Sequence, residues 1–196
     1  MILSNSEIYR ALDEGRLVID PEPAPRTRVG SGSSPFNTSS VDLSLDESLS
    51  IPKEGLSLVL DPTVGDIRTT LETLYERHNL SPGGGYRLKP RQLVLGQTRE
   101  RVNLPLMRDG AMQLAARVEG RSSLARCGLL VHFTAPTIHA GFNGTIALEM
   151  MNLGPTDILL TRGMRICQLI IEEVRGTPDQ ADSMFQGQSS PTGSPV

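Results

Sequence analysis

A mainly β fold with only short helices is what this sequence predicts, and three observations carry the prediction. The 196 residues include 19 glycines and 14 prolines, a turn-rich total that suits many short strands better than a helical bundle. From Tyr86 to Val174, apolar runs of strand length recur between Gly, Pro, Asn and Asp turns, at 92–99, 112–119, 128–134, 144–152, 156–160 and 166–174. Clear helical periodicity shows in only two short segments, both before Tyr86. The pattern fits an all-β sandwich, barrel or jelly roll built as one compact domain.

Taken in order, Ser4 and Glu7 form a capping box, and Ile8, Ala11 and Leu12 follow at helical spacing until Gly15. Leu17-Val18-Ile19 then leads into a loop over 21–38, where turn formers dominate. Ser40 to Leu45 alternates polar and apolar residues, which predicts a half-buried strand. In 66–80, Ile67, Leu71, Leu74 and Leu80 fall close to one helical face, so a short helix or structured insertion is expected before Pro82-Gly83-Gly84-Gly85. From Gly176 onward Gln, Ser, Pro and Gly leave almost nothing to bury. That segment is either a disordered tail or one that orders only over a ligand. The expected organisation is a body over 1–182 and a flexible C-terminal lid over 183–196.

Charge narrows the function classes. With 19 basic against 22 acidic side chains and a net charge of −3, no broad nucleic-acid surface and no polybasic membrane anchor is expected. Any polyanion must be held by a few placed groups. No window approaches the roughly 18 apolar residues of a membrane span, and the first residues lack a secretory signal, so a cytoplasmic protein is expected. Cys127 and Cys167 supply neither a disulfide framework nor a four-thiolate metal site.

The densest reactive cluster is Glu119-Gly120-Arg121-Ser122-Ser123-Leu124-Ala125-Arg126. Hydroxyls, amides and two arginines at the start of a short helical segment make an anion cradle. A capped helix with surface arginines explains the same letters equally well. His139-Ala140-Gly141-Phe142-Asn143-Gly144 reads as a hairpin with Phe142 at its tip. Glu149 interrupts the run Ile146 to Met151, which reads as a strand buried on both faces. A carboxylate there is costly unless paired, which raises a functional role against that of a mere ion-pair partner. His132, between Val131 and Phe133, reads as a hydrogen-bonded structural imidazole. Walker, dinucleotide, HExxH, GxSxG and zinc-deaminase patterns are absent.

Together these segments resemble the dCTP deaminase family of the dUTPase superfamily. The resemblance rests on Met1 to Ser4 with Glu7-Ile8, Ser39 to Leu43, Glu119 to Gly128, Ala140 to Gly144 with Leu148-Glu149, Gly163 to Leu169, and Phe185 to Gln188 with Pro191-Thr192. It is interrupted around 62–85, an insertion expected to be a solvated elaboration. The resemblance implies a distorted jelly-roll homotrimer with active sites shared between subunits. It implies zinc-free deamination of dCTP to dUTP and ammonia, with Mg²⁺ carried by the triphosphate. Glu149 corresponds to the general base, aided by Ser122 and Arg126, and the resemblance sets burial against Arg126 in fixing its pKa. Arg121 and Ser123 correspond to triphosphate contacts, with Ala135, His139, Phe142, Gln168, Phe185 and Gln188 as further substrate contacts. It also implies dTTP as an inhibitor.

Three departures accompany it: His139 stands where Asp is usual, Met184 where Lys is common, and Phe185 where Tyr is frequent. The alternatives are a dUTP diphosphatase or bifunctional, dUMP-forming enzyme, and a catalytically weakened nucleotide-binding regulatory trimer. His139 weighs against hydrolysis of the diphosphate.

Overall fold

The computed structural model describes the chain apart from residues 31, 62, 64–65, 108–111, 133, 180–186 and 193–196. Helix α1 (Asn5–Asp13) begins as predicted, with the Ser4 hydroxyl accepting the Glu7 amide at 3.4 Å and Ile8 and Ala11 buried. The strands that follow are β1 (Val18–Asp20), β2 (Val41–Ser44) and β3 (Ser48–Pro52). Next come α2 (Ile67–Leu74), β4 (Tyr75–Asn79), β5 (Tyr86–Leu88), β6 (Leu93–Asn103) and β7 (Gln113–Gly120). The chain continues through α3 (Ser122–Ala125), β8 (Leu129–Val131), β9 (Thr137–Ile138), β10 (Asn143–Asn152), β11 (Ile158–Leu160) and β12 (Arg165–Val174).

Two antiparallel sheets carry the body. One runs β4-β3-β6-β10-β8, with β1 also on β6; the other runs β2-β12-β7-β9. β5 and β11 form a separate pair. Leu43, Val118 and Leu169 of the second sheet share one continuous core with Val102, Ile146 and Leu148 of the first. Among the described residues, no helix is long and apolar enough to cross a membrane.

Three local expectations need correction. Residues 66–80 are not one helix: α2 ends at Leu74, and Tyr75–Asn79 pairs antiparallel with Ser48–Pro52. Leu80 is buried because β4 delivers it there, its amide bonded to the Glu47 carbonyl at 2.8 Å. β2 is not half-buried; Val41, Asp42 and Leu43 are all buried. The preceding loop folds back over it, with the Asp42 amide donating to Pro35 and Phe36 bridging to Val41.

β10, expected to be buried on both faces, alternates strictly instead. Gly144, Ile146, Leu148, Met150 and Asn152 face the core, whereas Thr145, Ala147, Glu149 and Met151 are only partly covered. Apolar letters on both faces of a strand do not distinguish a doubly covered strand from one whose second face is small and half open.

Gly128, with φ +91°, marks a close crossing. A Cβ there would come within 2.3 Å of the Gly154 nitrogen, and the Leu153 amide bonds the Gly128 carbonyl at 2.8 Å. The α3–β8 link is thereby pinned against the turn after β10.

Candidate active site

Glu149 lies on the half-open face of β10, its side chain 35% exposed. Its Oε2 stands 2.8 Å from Nδ1 of His132, whose side chain is only 7% exposed. His132 sits just past β8 with φ 55°, a left-handed conformation that a non-glycine residue adopts at a cost. Its amide donates to the Glu149 carbonyl at 2.9 Å, and its Nε2 donates to the Ala135 carbonyl at 2.7 Å. Because a carbonyl only accepts, Nε2 carries a proton. The 2.8 Å Nδ1–Oε2 contact sets the imidazole edge against the carboxylate, a close charge contact in which neither atom completes a well-aligned hydrogen bond. Burial would push the Glu149 carboxyl up, but the facing imidazole holds it below the usual carboxylate range. Burial pushes His132 down, and Glu149 with the Ala135 carbonyl more than reverses that, leaving its pKa raised. The group opposing burial at Glu149 is therefore His132, where the sequence pointed to Arg126.

Tyr75 reports the direction of the Glu149 charge. Burial raises its phenol pKa, and the Glu149 charge raises it further. Along the sheet, Arg77, Ser50, Leu95 and Glu149 are successive cross-strand partners and so share one face. A cavity of about 460 Å³ opens there between Ser48, Ser50, Tyr75 and Arg77 and the tail residues Ser190 and Thr192. β4, inside the 62–85 insertion, thus forms one wall of a polar hollow.

A second cluster forms where β2, β7 and β12 meet. Asp42 is 3% exposed. Its Oδ1 accepts from Asn37 Nδ2 at 3.0 Å and Gln168 Nε2 at 3.1 Å. Its Oδ2 faces Arg121 Nη2 at 3.4 Å and Arg165 Nη1 at 3.8 Å. Arg121 Nη1 also donates to the Arg165 carbonyl at 3.2 Å. Arg121 and Gln168, nearly fifty positions apart in sequence, are brought to one carboxylate.

The remaining candidates are placed as follows. Ser122 and Ser123 open α3 and Arg126 follows it; all three are exposed, and no contact joins them to Glu149 among the described residues. His139 is exposed, and Phe142 packs partly against the core where the turn closes on Leu104. Gln188 is buried: its side-chain amide donates to the Thr145 carbonyl at 2.8 Å, and its own carbonyl accepts the Thr145 amide at 3.2 Å. Residues 187–188 thereby lie along the start of β10. Phe185 and Met184 fall outside the described residues.

The structure thus assembles Glu149 with Ala135 through His132, and Arg121 with Gln168 through Asp42. Among the described residues it does not join Ser122 or Arg126 to Glu149. From the sequence His132 reads only as a structural imidazole, and Asp42 and Arg165 carry no role beyond the resembled motifs. The only usable signal was the polar Asp42 in a strand whose neighbours are apolar.

Comparison with known proteins identifies the family of this chain. A family model described as dCTP deaminase-like matches residues 2–174. A protein named dCTP deaminase from Natronomonas pharaonis is 35% identical over 202 residues, covering 100% of this chain and 95% of its own length. Another, from Dictyoglomus thermophilum and named dCTP deaminase, dUMP-forming, is 36% identical over 200 residues, covering 99% of this chain and 94% of its own. Among solved structures, 2'-deoxycytidine 5'-triphosphate deaminase from Agrobacterium tumefaciens matches with a TM-score of 0.57 at 20% identity. That match covers 87% of this chain and 47% of that one, a likeness of fold. With the family model running almost from the first residue to the end of β12, the chain belongs to the dCTP deaminase-like family.

Proposed function

We propose that the protein deaminates dCTP, with water entering at C4 of cytosine and ammonia leaving. The observation that carries this reading is the half-exposed Glu149 carboxylate, held ionised by a buried histidine at 2.8 Å. An ionised carboxylate can take a proton from water as its oxygen bonds to C4. Glu149 then passes that proton to N3, takes the second from the new C4 hydroxyl and delivers it to N4, and the C4–N4 bond breaks as ammonia leaves. Oxygen from water becomes O4 of the uracil product, dUTP. His132 retains its own proton towards Ala135 and keeps the carboxylate aimed.

We propose that the base is this carboxylate and that the reaction uses no zinc. Among the described residues no three His, Cys, Asp or Glu side chains gather as a ligand set, and the oxygens of Asp42 already meet cations and amides. We propose a Mg²⁺ borne by the triphosphate rather than by the protein, where it would neutralise phosphate charge. Arg121 and Ser123 would meet the phosphates. We further propose a homotrimer, because among the described residues exposed Ser122 and Arg126 make no contact with Glu149 of their own chain and would serve that of a neighbour. dTTP is proposed as an inhibitor by likeness to substrate, and the cytoplasm as the setting.

A second reading, release of dUMP by further hydrolysis of the diphosphate bond, is favoured by the relatives named dUMP-forming. His139, in place of a carboxylate, weighs against it. One experiment separates these. Incubation with dCTP, and separately with dUTP, in Mg²⁺ is followed by chromatography of nucleotides together with ammonia and pyrophosphate assays. Ammonia with dUTP supports deamination; dUMP with pyrophosphate supports the second reading. Nucleotide binding with no product would leave a regulatory trimer.

A further inference from the structure

We infer that Asp42 is a positioning residue: it holds the Arg121 guanidinium and the Gln168 amide at one point, pre-shaped to receive the phosphates of the nucleotide. The inference rests on the reading of Arg121 as a triphosphate contact. Asp42 itself is too buried, at 3% exposed, to touch a ligand.

Burying a carboxylate is unfavourable unless donors surround it, and here they converge from three directions. Asn37 and Gln168 donate to Oδ1, while Arg121 and Arg165 face Oδ2. The two arginines are not equivalent. Arg165 is already committed, Nη1 donating to the Ser33 hydroxyl at 3.0 Å and Nη2 to the Ser33 carbonyl at 3.0 Å. Arg121 spends one edge on Asp42 and the Arg165 carbonyl, yet its side chain stays 31% exposed. Its remaining N–H groups are therefore available to an anion. Fixing one edge of a planar guanidinium removes rotamer freedom before the ligand arrives, which strengthens each bond the other edge then makes.

A contrary effect has the opposite sign, and that makes the inference testable. Asp42 is an anion beside a proposed anion site, so if it acted only through charge, its removal would tighten nucleotide binding. If it positions Arg121, removal weakens binding in spite of the lost repulsion. In Asp42→Asn we expect the KM and the calorimetric Kd for dCTP to rise about tenfold or more, with kcat within about threefold of wild type. The loss should shrink from dCTP to dCMP, since the monophosphate lacks most of the contacts. In the double variant Asp42→Asn/Arg121→Ala, the loss should fall well short of the sum of the two single losses, because both changes remove the Asp42–Arg121 contact. Should Asp42→Asn not fold, Asp42→Glu keeps the charge but shifts it, and must show the same selective rise in KM. An unchanged or tightened Kd in either folded variant, or losses that add in the double variant, would overturn the inference. A wild-type protein that neither binds dCTP nor releases ammonia from it would instead overturn the functional reading on which the inference stands.

Discussion

Replacing Glu149 with Gln tests the proton pair directly, because the isostere keeps the shape and removes both the base and the charge facing His132. With a positioned base gone, turnover should fall about 10²–10⁴-fold while nucleotide binding persists. The same change has a consequence that does not depend on the reaction. His132 is raised because the Glu149 carboxylate, with the Ala135 and Ala147 backbone, outweighs burial. Without the carboxylate, burial prevails and the midpoint drops below the ordinary imidazole value. The chain has three histidines, so His132 can be followed by NMR beside exposed His78 and His139.

Stability should move with it. The pair is neither exposed nor fully buried, with side chains 7% and 35% accessible. Exposed pairs contribute about 0.2–1 kcal/mol, and breaking a buried one costs about 3–5, so a loss of about 1–2 kcal/mol is expected. The sign with pH follows from the two directions. A lowered Glu149 contributes stability above the ordinary carboxylate pKa, lost as pH falls through its depressed value. A raised His132 contributes below the ordinary imidazole pKa, lost as pH rises through its elevated value. The difference between wild type and Glu149→Gln should therefore be greatest between about pH 4.3 and about pH 6.5. Denaturant unfolding across that range checks it. An identical His132 midpoint in both proteins, or near-normal turnover of the variant, would refute the reasoning.

Arg126→Ala should lower deamination without lowering the melting temperature, since the exposed side chain makes no hydrogen bond or ion pair among the described residues; a melting loss of several degrees would contradict this. Gly128→Ala should destabilise by more than about 2 kcal/mol in denaturant unfolding, because the new methyl group meets backbone at 2.3 Å in a φ +91° conformation. Truncation after Asp182 removes the Gln188–Thr145 pairing, so the folded remainder should bind dCTP more weakly and turn over slowly, as isothermal calorimetry and ammonia release would read. Protection of the tail from protease by dCTP with Mg²⁺ tests the same idea on the intact chain.

How much of this was legible in the sequence depends on the range of the interaction involved. The capping box at Ser4, and strands such as β7, β10 and β12, are written in local periodicity, and their bounds came within a residue or two. β4 was misread because Tyr75–Asn79 has no apolar alternation of its own; it is a strand only because β3 offers an edge. The alternation of β10 was hidden by Ala147 and Met151, apolar residues on the partly open face. At the site, Glu149 stood out as a carboxylate in an apolar run. Its partner did not, because the position of His132 depends on a left-handed residue just beyond β8 and on a cross-strand contact seventeen residues away. Asp42 was quoted only for its motif, since nothing local announces that Arg121, Arg165 and Gln168 will meet it.

The two clusters occupy different sheets, yet one short segment joins them. Gly120 ends β7 beside Cys167 of β12, and Arg121, next in sequence, is the N-cap of α3 and touches Asp42. Four helical residues later Arg126 closes α3, Gly128 is pinned against Gly154, and β8 pairs with β10 until His132 meets Glu149. From Arg121 to His132 the chain therefore runs through twelve positions with little slack: a single helical turn, a backbone crossing too close for any side chain, and a three-residue ladder. A segment so constrained fixes the register between the Asp42 cluster and Glu149 far more tightly than the packing of two separate sheets would. In the proposed trimer the same stiffness would fix how Arg121, Ser122 and Arg126 are presented to a neighbouring subunit's Glu149, where positioning within a fraction of an ångström matters.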